Sequence, residues 1–201
     1  MLTTIRPTCY PLSSRAALGF VLCVASLAPA MGAPAKQPSA GATATVSPKN
    51  SKAAPMPLID GDGYARVLAK DHGKPVMVNF WATWCEPCRY EFPMIVQLAH
   101  QYEPKGLVVL GINLDDDADM HLVRDFLAKN QPPFPSYRQK PGIDVDAFYH
   151  AVNPAWTGTM PQTIFYDRSG KMAGYFFGGR PREAFDAAIR AILSSPAPGA
   201  R

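Results

Sequence analysis

The chain has 201 residues, 47% of them apolar and 18% charged, a composition that excludes an intrinsically disordered protein. The net charge of +4 is unevenly spread, because residues 1–59 hold five basic residues and no acidic one. Residues 60–201 hold 15 basic and 16 acidic residues. The folded part is therefore close to neutral, which argues against a nucleic-acid-binding protein.

The first thirty residues have the pattern of an export signal. Arg6 and Arg15 flank the start of an apolar run over residues 16–28, and small residues follow at Ala28-Pro29-Ala30. This run is shorter than the ~20 residues that cross a bilayer. We expect a signal peptide over residues 1–30 and export to a bacterial periplasm, with an uncleaved N-terminal anchor as the alternative.

The rest of the chain divides into three further segments. Residues 31–57 are mostly small residues and proline, with too little apolar surface to offset the entropy of ordering. We expect a disordered tether there, with a folded N-terminal extension as the alternative. One domain is predicted over residues 58–194 and a disordered tail over 195–201.

The first half of this domain alternates between helical and strand patterns. The predicted elements are a helix capped by Asp60 or Asp62 and running through Leu68, a buried strand at 76–81, a helix at 86–102, a buried strand at 107–112, and a helix capped by Asp116 or Asp117 with Val123, Phe126 and Leu127 inward.

The second half begins irregularly, because prolines 132, 133, 135 and 141 oppose regular structure. A short helix follows at 145–152. Strands at 162–166 and 172–177 are separated by a short turn, which predicts an antiparallel hairpin. A last helix begins at Pro181. The sequence therefore predicts an α/β fold with one mixed sheet covered by helices.

Cys85 and Cys88 are the only cysteines outside the leader, which contains Cys9 and Cys23. A bridge between residues three apart restrains little of the unfolded chain, and a zinc site would need further ligands at suitable spacing. The remaining interpretation is redox chemistry. Amides at a helix N-terminus favour a Cys85 thiolate, and Cys88, one turn later, can resolve a mixed disulfide.

Two motifs stand out: Phe80-Trp81-Ala82-Thr83-Trp84-Cys85-Glu86-Pro87-Cys88-Arg89 followed by Glu91-Phe92-Pro93, and Thr159-Met160-Pro161-Gln162-Thr163. Together they resemble the TlpA/ResA-like branch of the thioredoxin superfamily. The resemblance covers residues 58–194. It implies a thioredoxin fold with a mixed four- to five-stranded sheet and helices on both faces. It also implies a cis peptide bond before Pro161 and thiol–disulfide exchange without a metal or other cofactor.

The resemblance also suggests roles for side chains around the cysteines. Asn79 replaces the buried Asp of cytosolic thioredoxins, and Glu91 matches an acid that lies beside the site in ResA-like members. We expect Glu91 to move protons, the alternative being a solvated acid near a helix start. Trp84 is expected to shield the disulfide and contact partners, the alternative being core packing. Glu86, Pro87, Met160 and Pro161 complete the expected substrate-binding set.

The acids near the cysteines favour a reductase. A carboxylate about 6 Å from a thiolate costs ~0.7 kcal/mol in water and ~2.8 kcal/mol at an effective dielectric constant of 20. The helix N-terminus contributes about 0.3–1 kcal/mol in the opposite direction. We therefore expect a reductase, and the resemblance implies that its substrates are protein disulfides, often in apocytochrome c or copper-site proteins. We expect its electrons to come from a membrane-bound donor. The alternatives are a disulfide isomerase or oxidase, a peroxidase, and a Cu(I)-binding module using the same cysteines.

Three acids, Asp115, Asp117 and Asp119, have the spacing of a calcium loop. Met120 stands where such a loop requires glycine, and Phe126 stands where it requires glutamate. We therefore interpret these acids as capping charges at a helix start.

Overall fold

The computed structural model describes residues 56–199. Over these residues it has six strands, β1 (Leu58–Ile59), β2 (Val76–Trp81), β3 (Val108–Asn113), β4 (Ser136–Gln139), β5 (Gln162–Tyr166) and β6 (Met172–Phe177). The α-helices are α1 (Gly61–Lys70), α2 (Glu86–Tyr102), α3 (Met120–Asn130), α4 (Val145–Val152) and α5 (Arg182–Leu193). Short 3₁₀ helices occupy Glu103–Lys105 and Asp117–Asp119.

The strands form one mixed sheet in the order β1-β4-β3-β2-β5-β6. The pairs β1–β4, β4–β3 and β3–β2 are parallel, whereas β2–β5 and β5–β6 are antiparallel. The predicted hairpin and the mixed α/β class are confirmed. The sheet has six strands where four to five were predicted, because neither β1 nor β4 has a strand pattern in its sequence. The first has two residues, and the second is the polar stretch Ser-Tyr-Arg-Gln between prolines.

Helices cover the sheet on both faces, as the alternating contacts of β2 show. Phe80 packs against Tyr64 of α1 on one face, with their ring centroids 5.7 Å apart. Trp81 packs against Phe92 of α2 on the other face, with ring centroids 4.8 Å apart. Because both faces are buried, β2 reads as a continuous apolar run with only Asn79 as a polar exception. This buried strand ends directly before the cysteine motif.

Of the helix caps predicted for α1 and α3, the first is confirmed and the second is wrong. Asp60 caps α1 as predicted, and its Oδ1 accepts a hydrogen bond from the Gly63 N at 2.8 Å. The prediction that Asp116 or Asp117 caps α3 is wrong, because Asp119 is the N-cap residue and makes no side-chain cap bond. Asp117 instead accepts a 2.5 Å hydrogen bond from Arg138 of β4. The Arg138 side chain is buried, and a buried guanidinium needs such a counter-charge.

The predicted export signal and residues 31–55 of the predicted tether lie outside the described residues. Within residues 56–199, no helix is both long enough and apolar enough to cross a membrane. Contacts with the fold begin before β1, since the Pro57 carbonyl accepts a hydrogen bond from the Arg138 N at 3.0 Å. At the other end, the Ser195 Oγ accepts one from the Arg168 N at 3.2 Å.

Candidate active site

Cys85 lies at the junction between β2 and α2. It is the N-cap residue of α2, in an extended conformation, and a disulfide joins it to Cys88 with the Cα atoms 5.3 Å apart. The Cys85 Sγ accepts a hydrogen bond from the Cys88 N at 3.2 Å. Pro87 occupies the first turn, where its missing N–H costs no helical bond. The first cysteine sulfur is thus placed at the positive end of the helix dipole.

The surroundings of the disulfide differ sharply in exposure. Cys85 is 5% exposed and Cys88 is 2% exposed. Trp84, directly before the pair, is 60% exposed, which excludes the core-packing alternative for this side chain. Glu86 and Pro87 are also exposed. A large aromatic ring therefore lies in solvent directly beside a nearly buried disulfide.

Glu91 lies one turn after Cys88 on α2 and is only 7% exposed, so it is not the solvated acid of the alternative. Its Oε1 accepts a hydrogen bond from the Asn79 Nδ2 at 3.4 Å, and its Oε2 accepts one from the Arg180 N at 3.2 Å. Burial raises the pKa of Glu91 to about 7, against the opposing effect of these hydrogen bonds and of the Arg180 charge. This carboxyl group can therefore exchange protons near neutral pH.

The Pro161 loop connects to Glu91 through Asn79. The Met160–Pro161 bond is cis, as the resemblance implied. Asn79 donates from Nδ2 to the Thr163 Oγ1 at 3.0 Å, and the same nitrogen donates to Glu91. The Pro161 carbonyl accepts a hydrogen bond from the Gly178 N at 2.8 Å. Pro161 is buried and Met160 is half-buried.

Sequence reasoning missed the role of Asp115, and its interpretation as a helix-capping charge is wrong. Asp115 is 3% exposed and follows β3. Its Oδ2 accepts hydrogen bonds from the Thr83 N at 2.8 Å and the Asn113 Nδ2 at 2.6 Å, and its Oδ1 accepts one from the Thr83 Oγ1. The signal that could have found it is topological, because neighbouring parallel strands end at the same sheet edge.

The expected substrate-binding residues lie in two separate segments of the chain. The structure places Trp84, Glu86 and Pro87 around the start of α2, and Met160 and Pro161 before β5. Thr163, two residues into β5, connects through Asn79 to Glu91 of α2.

Within residues 56–199, no cluster of three or more His, Cys, Asp or Glu side chains is arranged to hold a metal ion. The chemistry available to the pair itself is reversible two-electron thiol–disulfide exchange.

Comparisons with known proteins agree with this chemistry. The model of the AhpC/TSA family matches residues 50–174. The chain is 27% identical over 135 residues to the thiol-disulfide oxidoreductase ResA of Bacillus thuringiensis, covering 67% of this chain and 73% of the relative. It is 35% identical over 105 residues to ResA of Oceanobacillus iheyensis, covering 52% of this chain and 50% of that protein.

Two crystal structures from Chlorobium tepidum are also similar. One is of a protein assigned as thiol:disulfide interchange protein DsbE, with 32% identity and a TM-score of 0.53, covering 63% of this chain and 85% of that one. The other is of a thiol:disulfide interchange protein of the thioredoxin family, with 26% identity and a TM-score of 0.54, covering 72% of this chain and 100% of that one. The chain therefore belongs to the AhpC/TSA family and is a thiol-disulfide oxidoreductase of the TlpA/ResA-like branch of the thioredoxin superfamily.

Proposed function

We propose that this oxidoreductase acts outside the cytoplasm as a reductase of disulfides in other proteins, through Cys85 and Cys88. The observation that carries the proposal is the position of the Cys85 Sγ at the N-terminus of α2, 3.2 Å from the Cys88 N. A backbone N–H and the helix dipole there stabilise a thiolate, which is the nucleophile in disulfide exchange.

The proposed reaction has two exchange steps. The Cys85 thiolate attacks one sulfur of a substrate disulfide, and the other substrate sulfur leaves as a thiolate that takes up a proton. The Cys88 thiol then loses its proton and attacks the Cys85 Sγ, which releases the second substrate sulfur. Two electrons pass to the substrate, and the protein is left with the Cys85–Cys88 disulfide present in this structure.

Glu91 is the group that we propose takes the proton from Cys88. It lies three positions later on the same helix, so the two side chains share one face. Its pKa of about 7 leaves it roughly half deprotonated at neutral pH, as an acid–base catalyst requires. The buried environment that raises this pKa is the physical support for the role.

Partner binding is proposed to involve Trp84, Glu86 and Pro87 on one side and Met160 and Pro161 on the other. The exposed Trp84 ring offers an apolar contact next to the disulfide. An extended partner segment beside the Met160–Pro161 backbone would present its own sulfur to Cys85, a form of strand addition. These contacts form only when the partner protein binds.

The reductase direction rests on the acids near the pair. Glu86 is exposed at the first position of α2, and Glu91 carries a partial negative charge at neutral pH. Both charges oppose the stabilisation of the Cys85 thiolate by the helix. A less stabilised thiolate makes the reduced state less favourable and lowers the reduction potential. The substrates proposed are disulfides of apocytochrome c or copper-site proteins, with a membrane-bound electron donor.

Location is proposed from the leader sequence. The basic start, the apolar run over residues 16–28 and the small residues at 28–30 support export to a periplasm. An oxidising compartment is also where protein disulfides form and where a dedicated reductase has substrates.

The proposal is tested by the reduction potential of the pair in glutathione or dithiothreitol buffers, together with turnover in insulin reduction. We expect a potential well below about −150 mV and measurable insulin reduction. A potential above that value would support the oxidase instead. Tight Cu(I) binding with negligible disulfide turnover would support the metal-binding module, and rapid hydroperoxide reduction without disulfide turnover would support a peroxidase.

A further inference from the structure

Asp115 is a buried acid without a cationic partner in the described part of the chain. It lies at the carboxyl end of β3 and is 3% exposed, and no Lys, Arg or His nitrogen of residues 56–199 lies within 4.0 Å of its carboxylate. Burying an acid in this way is costly unless hydrogen bonds compensate. Its compensating donors are the Asn113 side chain and, twice, Thr83.

Asp115 is itself firmly held. Its own backbone N donates to the Asn113 Oδ1 at 3.2 Å, and Asn113 pairs with Trp81 in the sheet. The next residue, Leu114, donates from its backbone N to the Trp81 carbonyl at 2.9 Å. The carboxylate is thus fixed to the end of β2 from the neighbouring strand.

The two bonds to Thr83 restrain the segment that carries Cys85. One fixes the Thr83 backbone and the other fixes its side chain, and Thr83 lies two residues before Cys85. The chain then turns, with the Cys85 N donating to the Ala82 carbonyl at 3.3 Å. In the oxidised protein the disulfide also restrains Cys85, but in the reduced protein that covalent restraint is gone.

We propose that Asp115 is a positioning residue, which holds Thr83 so that the Cys85 Sγ stays at the N-terminus of α2 when the pair is reduced. This inference rests on the proposed role of Cys85 as the attacking thiol. Without the anchor, the Trp84–Cys85 segment moves more freely, and the Cys85 sulfur spends less time facing the Cys88 N–H. The thiolate is then less stabilised and attack on a partner disulfide is slower.

The experiment uses the full chain with Cys9 and Cys23 replaced by Ser. In a Cys88→Ala background, the rate of Cys85 alkylation by iodoacetamide is measured from pH 5 to pH 10, which gives the apparent thiol pKa. Insulin reduction is measured with Cys88 present. The variants are Asp115→Leu, which removes all three acceptor bonds, and Asp115→Asn, whose amide can keep them because the Thr83 hydroxyl can also accept. Asp116→Leu, at an exposed neighbouring position, is the matched control.

A positioning role and a purely electrostatic role of Asp115 predict opposite changes in the pKa of the Cys85 thiol. Losing the anchor raises the thiol pKa, whereas merely losing a nearby negative charge lowers it. We expect Asp115→Leu to raise the apparent pKa by about 0.5 unit, within the range of helix-terminus effects, and to lower kcat/KM for insulin by about threefold to tenfold. Asp115→Asn should recover most of that loss, and Asp116→Leu should match the parent protein.

The measurements can overturn the positioning role of Asp115 in several ways. A thiol pKa that is unchanged or lowered in Asp115→Leu, with only a lower melting temperature, overturns the inference. So does an Asp115→Asn variant as impaired as Asp115→Leu. If Asp115→Leu does not fold, Thr83→Val replaces it, with Thr83→Ser as the variant that keeps the hydroxyl; equal thiol pKa values in these two variants overturn the inference. Cys85→Ser is included in the insulin assay, because activity retained there would reject the role of Cys85 itself, independently of Asp115.

Discussion

Two buried carboxyl groups lie near the cysteine pair, and the structure holds them differently. Glu91 receives two donors at 3.2 and 3.4 Å, and burial raises its pKa to about 7. Asp115 receives three, two of them at 2.6 and 2.8 Å, and two of the three come from one residue. Similar burial thus supports different tasks: loosely bound Glu91 can exchange a proton, whereas closely bound Asp115 anchors the chain.

The largest expected effect concerns Glu91 and stability. Because its pKa is raised from 4.5 to about 7, the folded protein keeps a proton that the unfolded chain releases in this range. Stability from this group is fully present below pH 4.5 and is lost as the pH rises to about 7, by about 3 kcal/mol. Urea unfolding of the parent and Glu91→Gln between pH 4 and pH 8 measures this difference. Parallel pH curves for the two proteins would contradict it.

The same substitution tests the proton-transfer role. We expect Glu91→Gln to lower insulin-reduction turnover by about 10²-fold near pH 7, the lower end of general acid–base contributions. The loss should shrink toward alkaline pH, where Cys88 deprotonates without help. Glu103→Gln, which changes an exposed acid directly after the same helix, is the matched control. Equal turnover in parent and Glu91→Gln across the pH range would leave Glu91 with no part in exchange.

Asn79 sharpens the comparison, because one amide nitrogen serves both Glu91 and Thr163. Its hydrogen bond lowers the pKa of Glu91, so Asn79→Ala should move that pKa further upward. Stability should also fall by about 1–3 kcal/mol, since buried polar groups lose a partner. The pH profile of turnover and urea unfolding measure the two effects. A profile that moves toward lower pH would reject this network.

A surface ion pair gives the lower limit of the series. The Lys74 Nζ donates to the Asp71 Oδ1 at 2.9 Å, and the Lys74 side chain is 56% exposed. We expect Lys74→Ala to change stability by less than about 1 kcal/mol and to leave insulin reduction unchanged. A larger loss of stability in urea unfolding would contradict the view that this surface pair matters less than the buried carboxyl groups Glu91 and Asp115.

The sequence predicted those parts of the fold whose signal is local. Strand β2 and helix α2 have the predicted bounds, because an apolar run and a capped amphipathic segment are visible in the sequence itself. Strand β4 was not predicted, because its one buried side chain is the charged Arg138. The counter-charge of Arg138 is Asp117, 21 positions earlier in the sequence. In the site, the cysteine spacing was visible, but the bond from Thr83 to Asp115 spans 32 positions. One of the two hydrogen bonds to Glu91 likewise comes from Arg180, 89 positions later.

The central claim is that Cys85 exchanges disulfides with other proteins and that Cys88 resolves the complex. The most direct measurement is expression of the Cys88→Ala full chain in its native compartment, followed by acid quenching, alkylation and non-reducing electrophoresis. The account predicts a dithiothreitol-sensitive complex joined through Cys85, and its absence from the matched Cys85→Ala variant. No complex with Cys88→Ala, or a complex that persists when Cys85 is replaced, would contradict the account.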